Sequence, residues 1–172
     1  MEDSYIKLLI KSAQQGKKNA YRELCNINLK KIYTMAVRFL LNEKVAEKIT
    51  EEIFIEAWEN LKFLREDQSF DLWLRSIAIY RLLDELRTLR IRNELIDANE
   101  ITDANDGVFS ENKCENIILT LPEKERIIFI LHEIEKYTYE EIASFMNETS
   151  LEEIKSIIIN TRRVIISAED YE

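Results

Sequence analysis

The chain has 172 residues, 46% hydrophobic and 33% charged, with only two glycines and one proline. Strand-rich folds, dinucleotide-binding units and phosphate-cradling loops rely on Gly and Pro at their turns, so this scarcity argues against them and makes an all-α protein the expectation. Taken as a single total, the net charge of −9 also argues against a nucleic-acid partner.

The opening residues, Met1-Glu2-Asp3-Ser4-Tyr5, are acidic where a secretory signal would be basic. No apolar run approaches the roughly 20 residues that span a bilayer, so a soluble, cytoplasmic protein is expected. Ile6, Leu9 and Ile10, then Leu24, Ile27, Ile32, Met35, Ala36 and Phe39, recur at helical spacing. Residues 45–61 keep Ile49, Ile53, Ala57 and Leu61 on one stripe, with Glu47, Glu51, Glu52 and Glu59 elsewhere around the helix. Ser69 stands as an N-cap before Phe70, Trp73, Leu74, Ile77, Ala78 and Leu82. About four helices are predicted, with Trp58, Phe70 and Trp73 as their hydrophobic centre.

Charge then changes along the chain: residues 1–95 sum to +2, 96–118 to −5 and 119–172 to −6. Residues 96–116, rich in Asp, Asn and Glu and without helical periodicity, read as an acidic flexible linker between domains at 1–95 and 117–172. Beyond it, Leu121-Pro122-Glu123 places proline in a first helical turn, and 127–134 is densely apolar. Thr138 with Glu141, and Ser150 with Glu153, form two capping boxes. Short helix, turn and longer helix predict a helix-turn-helix.

No catalytic, metal or cofactor site is expected. Cys25 and Cys114 belong to no C-x-x-C pair and read as reduced, passive thiols, and His132 is the only histidine. An enzyme therefore has nothing positive in its favour.

Five stretches carry a specific resemblance. They are V-A-E-K-I-T-E-E-I-F-I-E-A-W (45–58), S-F-D-L-W-L-R-S-I-A (69–78), Asp84-Glu85-Leu86-Arg87, Leu121-Pro122 with Arg126, and Tyr139-Glu140-Glu141-Ile142-Ala143. In order and spacing they resemble the extracytoplasmic-function (ECF) sigma factors, whose two helical domains are of the sigma region 2 and region 4 types. The resemblance implies core RNA polymerase and promoter DNA as partners, with no small-molecule substrate. It also leaves open an anti-sigma factor wedged between the domains.

By that resemblance, Glu47, Lys48, Glu51, Glu52, Phe54 and Ile55 bind core polymerase. Acids beside apolar residues suit docking on a basic coiled coil. The loop 62–68, with Lys62, Phe63 and Arg65, takes a base flipped from the minus-ten element, and Arg75, Tyr80, Arg81, Arg87 and Arg90 on the following helix engage the same DNA. Thr138, Lys155, Ser156, Arg162 and Arg163 read the minus-thirty-five element.

The chain departs from the family on these surfaces. Lys48 replaces an acid, Glu51 a glutamine, and Ala78-Ile79-Tyr80 the usual A-R-N, leaving Tyr80 to stack on a base. The second turn lacks its glycines, Ile157 and Asn160 replace arginines, and Glu148, Glu152 and Glu153 crowd a helix start that phosphates would approach. A second reading therefore stays open, in which a sigma-like interaction module with weakened promoter recognition binds a polymerase subunit, a partner sigma or an anti-sigma factor. The apolar run Ile157-Ile158-Ile159 motivates it, requiring either an apolar partner or deeper burial.

Overall fold

A computed structural model describes residues 2–95, 112–147 and 149–169. The chain divides into two compact units, 1–106 and 107–172, and every regular element among the described residues is a helix or helical turn.

The first unit contains α1 (Glu2–Gln14), α2 (Lys18–Leu40), α3 (Glu43–Asn60) and α4 (Phe70–Leu95), with a 3-10 turn at Leu61–Phe63. Gly16 turns α1 into α2 at φ +86°. Its N–H donates to Ala13 O at 2.8 Å and that of Lys17 to Ser12 O at 3.1 Å, the two bonds of a Schellman cap. Any residue with a Cβ is strained at that φ, which gives one of the two glycines its purpose. Asn42 starts α3 by accepting the Val45 N–H at 3.0 Å.

The stripes read from the sequence form the core: Leu9 and Ala13 from α1, Leu24, Ile32, Met35 and Phe39 from α2, Ile49, Ile53 and Ala57 from α3, and Leu74, Ala78 and Leu82 from α4. Ala36, Ala46, Ala57 and Ala78 are fully buried and let the helices approach closely. Several residues of the predicted stripes differ, Ile6, Ile10 and Ile77 being only half-buried. Ile27 lies exposed on the outer side of α2. Of Trp58, Phe70 and Trp73, only Phe70 is buried, while the two tryptophans are half-buried. Trp58 leans on Tyr21 with ring centroids 4.8 Å apart, and Trp73 tilts against Phe70 at 5.8 Å. Helical spacing places a ring on the inward side, but bulk keeps part of an indole at the rim.

The second unit contains α5 (Lys113–Thr120), α6 (Glu123–Phe129), a wide π turn at Ile130–Ile134, α7 (Tyr139–Phe145) and α8 (Leu151–Glu169). Helix α5 begins inside the stretch read as linker, because Asn112 Oδ1 accepts the Glu115 N–H at 3.3 Å and caps it. Residues 96–111 of that linker lie outside the described residues. Pro122 sits at the N-cap of α6 rather than within its first turn, and its carbonyl accepts the Arg126 N–H at 2.9 Å. Leu119, Ile127, Ile128, Ile130, Leu131, Ile142, Phe145, Ile154 and Ile158 close the core.

The Thr138 capping box is complete, with Glu141 N–H donating to Thr138 Oγ1 at 3.2 Å and Thr138 N–H to Glu141 Oε2 at 2.8 Å. At α8, Ser150 Oγ accepts the Glu153 N–H at 3.2 Å, while the Glu153 carboxylate meets Lys124 Nζ at 2.6 Å and ties α8 to α6. Deeper burial accounts for part of the isoleucine run: Ile158 is buried, Ile157 half-buried and Ile159 48% exposed.

Candidate protein-docking and nucleic-acid surfaces

Because Ile49, Ile53 and Ala57 face inward, helical geometry turns Glu47, Lys48, Glu51 and Ile55 outward, and all four are exposed. Ile55 is 59% exposed. Phe54, placed in the same set from the sequence, is buried. Glu52 is half-buried and turned towards α4, where its carboxylate meets the Arg81 guanidinium, and Lys48 Nζ lies 3.5 Å from it. Beside Ile55, a groove of 350 Å³ runs between α2 and α3, floored by Tyr21, Cys25, Phe54 and Trp58, with Lys18 and Arg22 at its rim. Burial pushes the Tyr21 hydroxyl and the Cys25 thiol up. Both therefore stay neutral, and the floor is an uncharged surface suited to an apolar side chain.

The 3-10 turn after α3 leaves Phe63 67% exposed, with Lys62 Nζ 4.9 Å from its ring centroid. Gln14 fixes this turn from α1: its amide donates to Leu61 O at 3.0 Å and Leu64 O at 2.9 Å. The sequence carries no signal for that role, since Gln14 ends a helix 47 and 50 residues from its partners. Arg65 folds back on Asp67, with Nε 3.1 Å from Oδ1, and its N–H donates to Gln68 Oε1 at 3.2 Å. Asp71 ties α4 to α2 through Lys31 at 3.0 Å and pairs with Arg75 one turn along its own helix. Burial alone would raise the Asp71 carboxyl, but those two cations hold it below the usual carboxylate range.

The DNA-facing set on α4 divides in two. Tyr80 is 56% exposed, and Arg87 and Arg90 are exposed along the same helix, with Leu72 and Ile91 also outward. Arg75 and Arg81 are half-buried and committed within the unit, Arg75 to Asp71, and Arg81 to Glu52, Glu56 and Asp84.

In the second unit, Thr138 is occupied as the cap of α7. Lys155 Nζ stands 5.6 Å from the Tyr139 ring centroid, and that ring stacks on His132 at 4.6 Å. Arg162 is held by Glu133, with Nη2 2.6 Å and Nε 2.8 Å from Oε1. Ser156 and Arg163 are exposed, as is Glu152. Glu148 lies outside the described residues. Arg126 is buried and donates to Leu121 O at 2.9 Å, so it braces the α5–α6 corner. Among the described residues, no helix is long and apolar enough to cross a membrane.

Two family models match: "Sigma-70 region 2" over residues 24–98 and "Sigma-70, region 4" over 113–150. The second match stops where α8 begins. Curated relatives include the ECF RNA polymerase sigma factor SigW of Bacillus subtilis, 29% identical over 83% of this chain and 85% of its own length. The ECF RNA polymerase sigma-E factor of Escherichia coli is 26% identical over 92% and 91%. Among solved structures, CnrH in complex with the cytosolic domain of CnrY has a TM-score of 0.60 at 17% identity, covering 98% of this chain and 99% of that one. The sigma factor RpoE of Bartonella quintana, solved with the anti-sigma factor NepR, has a TM-score of 0.63 at 16% identity, over 88% and 98%. These structures share the fold.

Proposed function

Since the chain belongs to the sigma-70 family as an ECF-type factor that directs transcription initiation, we propose that its first unit carries both the core-polymerase surface, on α3, and the minus-ten surface, on the 62–68 loop and α4. The second unit supplies the minus-thirty-five reader. The factor works in the cytoplasm, has no chemistry of its own and acts by positioning polymerase on promoter DNA.

One observation supports this division best: two different surfaces on one helical unit. Helix α3 presents Glu47, Glu51 and a 59%-exposed Ile55 beside an apolar groove, which suits docking on a basic coiled coil. Helix α4 presents Tyr80 with Arg87 and Arg90, the aromatic–cation interleaving that stacks and neutralises single-stranded DNA. The +2 balance of residues 1–95 allows that contact despite the −9 of the whole chain. Docking on polymerase supplies the affinity that so slight a positive charge does not. An anti-sigma helix that filled the α2–α3 groove would block the α3 surface.

Reconstituted transcription with core polymerase tests the reading. Ile55→Glu is expected to weaken core binding roughly tenfold by placing a charge in the apolar contact. Tyr80→Ala should leave core binding intact while lowering promoter opening. A wild-type chain that fails to bind core polymerase would refute the proposal. A second reading, an interaction module with weakened promoter recognition, is favoured by the tie between Arg162 and Glu133 and by the exposure of Ile159. Core binding without minus-thirty-five dependence would support it.

A further inference from the structure

The outward side of α8 carries a regular row of exposed residues. Glu152, Ser156, Ile159 and Arg163 are all exposed, and their spacing of four, three and four residues makes one straight seam on a helix. Ile154, Ile158 and Thr161 face the core, so the seam lies on the side of α8 turned away from it.

Four of the charges on α8 fall into two sets. Glu153 and Arg162 are used inside the unit, by Lys124 at 2.6 Å and Glu133 at 2.6 Å. Their neighbours Glu152 and Arg163 have no ion pair among the described residues and stand at opposite ends of the seam. The helix dipole accounts for an acid in the first turn of α8 but not for Arg163, since the last turn carries no basic residue. Nor does the dipole account for Ile159, 48% exposed midway between them.

We propose that a second copy of this chain docks on α8, the two helices antiparallel about a two-fold axis between residues 157 and 158. In that register Glu152 of one copy meets Arg163 of the other at both ends, about 16 Å apart along the helix. In the centre Ile159 packs over Ser156 of the partner, a large residue against a small one, twice. The contact is isologous, as a two-fold dimer requires. Its small area makes it weak, dissociating in the high micromolar range. Glu152, which opposes phosphate at this helix start, has a use here. The face is the one assigned above to minus-thirty-five DNA, so dimer and duplex compete for it. The dimer itself does not depend on that assignment.

Sedimentation velocity on the full chain, from about 10 to 500 μM, tests the proposal without polymerase or DNA. The wild type is expected to shift towards dimer with concentration. Arg163→Glu and Glu152→Arg should each raise the dissociation constant roughly 10- to 50-fold by turning two attractive pairs into repulsive ones. An equimolar mixture of the two variants should associate again, because every end pair is then complementary. Circular dichroism checks that both variants fold, as exposed positions allow. A wild type monomeric throughout, variants that dimerise undiminished, or a mixture that fails to associate would each overturn the proposal. A wild type that dimerises but fails to support promoter-dependent transcription with core polymerase counts against the sigma assignment only.

Discussion

Arg81→Ala should act on folding rather than on DNA. The Arg81 guanidinium contacts Glu52, and its nitrogens lie 3.5 Å from Glu56 and 4.0 Å from Asp84, joining α3 to α4. These carboxylates are between 34% and 65% exposed, so each contact is screened. The two nearer ones contribute about 0.3–1 kcal/mol apiece and the third close to nothing. Truncation also leaves three carboxylates facing one another and removes the packed stem of the side chain, adding a few tenths. The expected loss is about 1.5 kcal/mol, a fall in Tm of roughly 6–10 °C for a unit of this size. Arg87→Ala, at an exposed position, should change stability by less than about 0.5 kcal/mol and instead reduce the salt slope of promoter opening by about one. Urea unfolding of the full chain and promoter opening by the holoenzyme against salt separate the two. If Arg81→Ala lowered the salt slope as Arg87→Ala does and left stability unchanged, the assignment of Arg81 to the α3–α4 joint would be refuted.

Asp71→Asn should cost about 1 kcal/mol near neutral pH, because Lys31 and Arg75 lose their common anion. The folded-state carboxyl is held below its unfolded value, so this stabilisation is present above about pH 4 and disappears as pH falls through the folded value. Denaturation curves of wild type and variant should therefore converge on acidification. Gln14→Ala frees the carbonyls of Leu61 and Leu64 and loosens the turn that presents Phe63. Promoter opening should fall several-fold with core binding unchanged, measured by open-complex kinetics and pull-down. Thr138→Ala removes the side-chain half of the capping box, leaving only the backbone N–H of residue 138 to Glu141, and should destabilise the second unit by about 1 kcal/mol. A thermal transition of that unit unchanged to within a few tenths would contradict it.

Fold class was legible in the sequence because helical periodicity is a local property. Gly and Pro scarcity, the 45–61 and 70–82 stripes and the Thr138 capping box each depend on residues a few positions apart, and each has its counterpart in the structure. The two domain types were legible for the same reason, through short motifs in fixed order. Only the tertiary structure decided which charges are available. Arg81 and Arg87 look alike in the sequence, yet one meets Glu52 and Glu56 across a helix pair and the other stays exposed. Likewise Glu153 and Arg162 turn inward to Lys124 and Glu133 while their neighbours Glu152 and Arg163 stay outward. Adjacent residues on a helix point about 100° apart, and what each one meets depends on which other helix packs there. The net charge of −9 was the bluntest guide, since electrostatic contact depends on the few ions left exposed at one surface and not on the total.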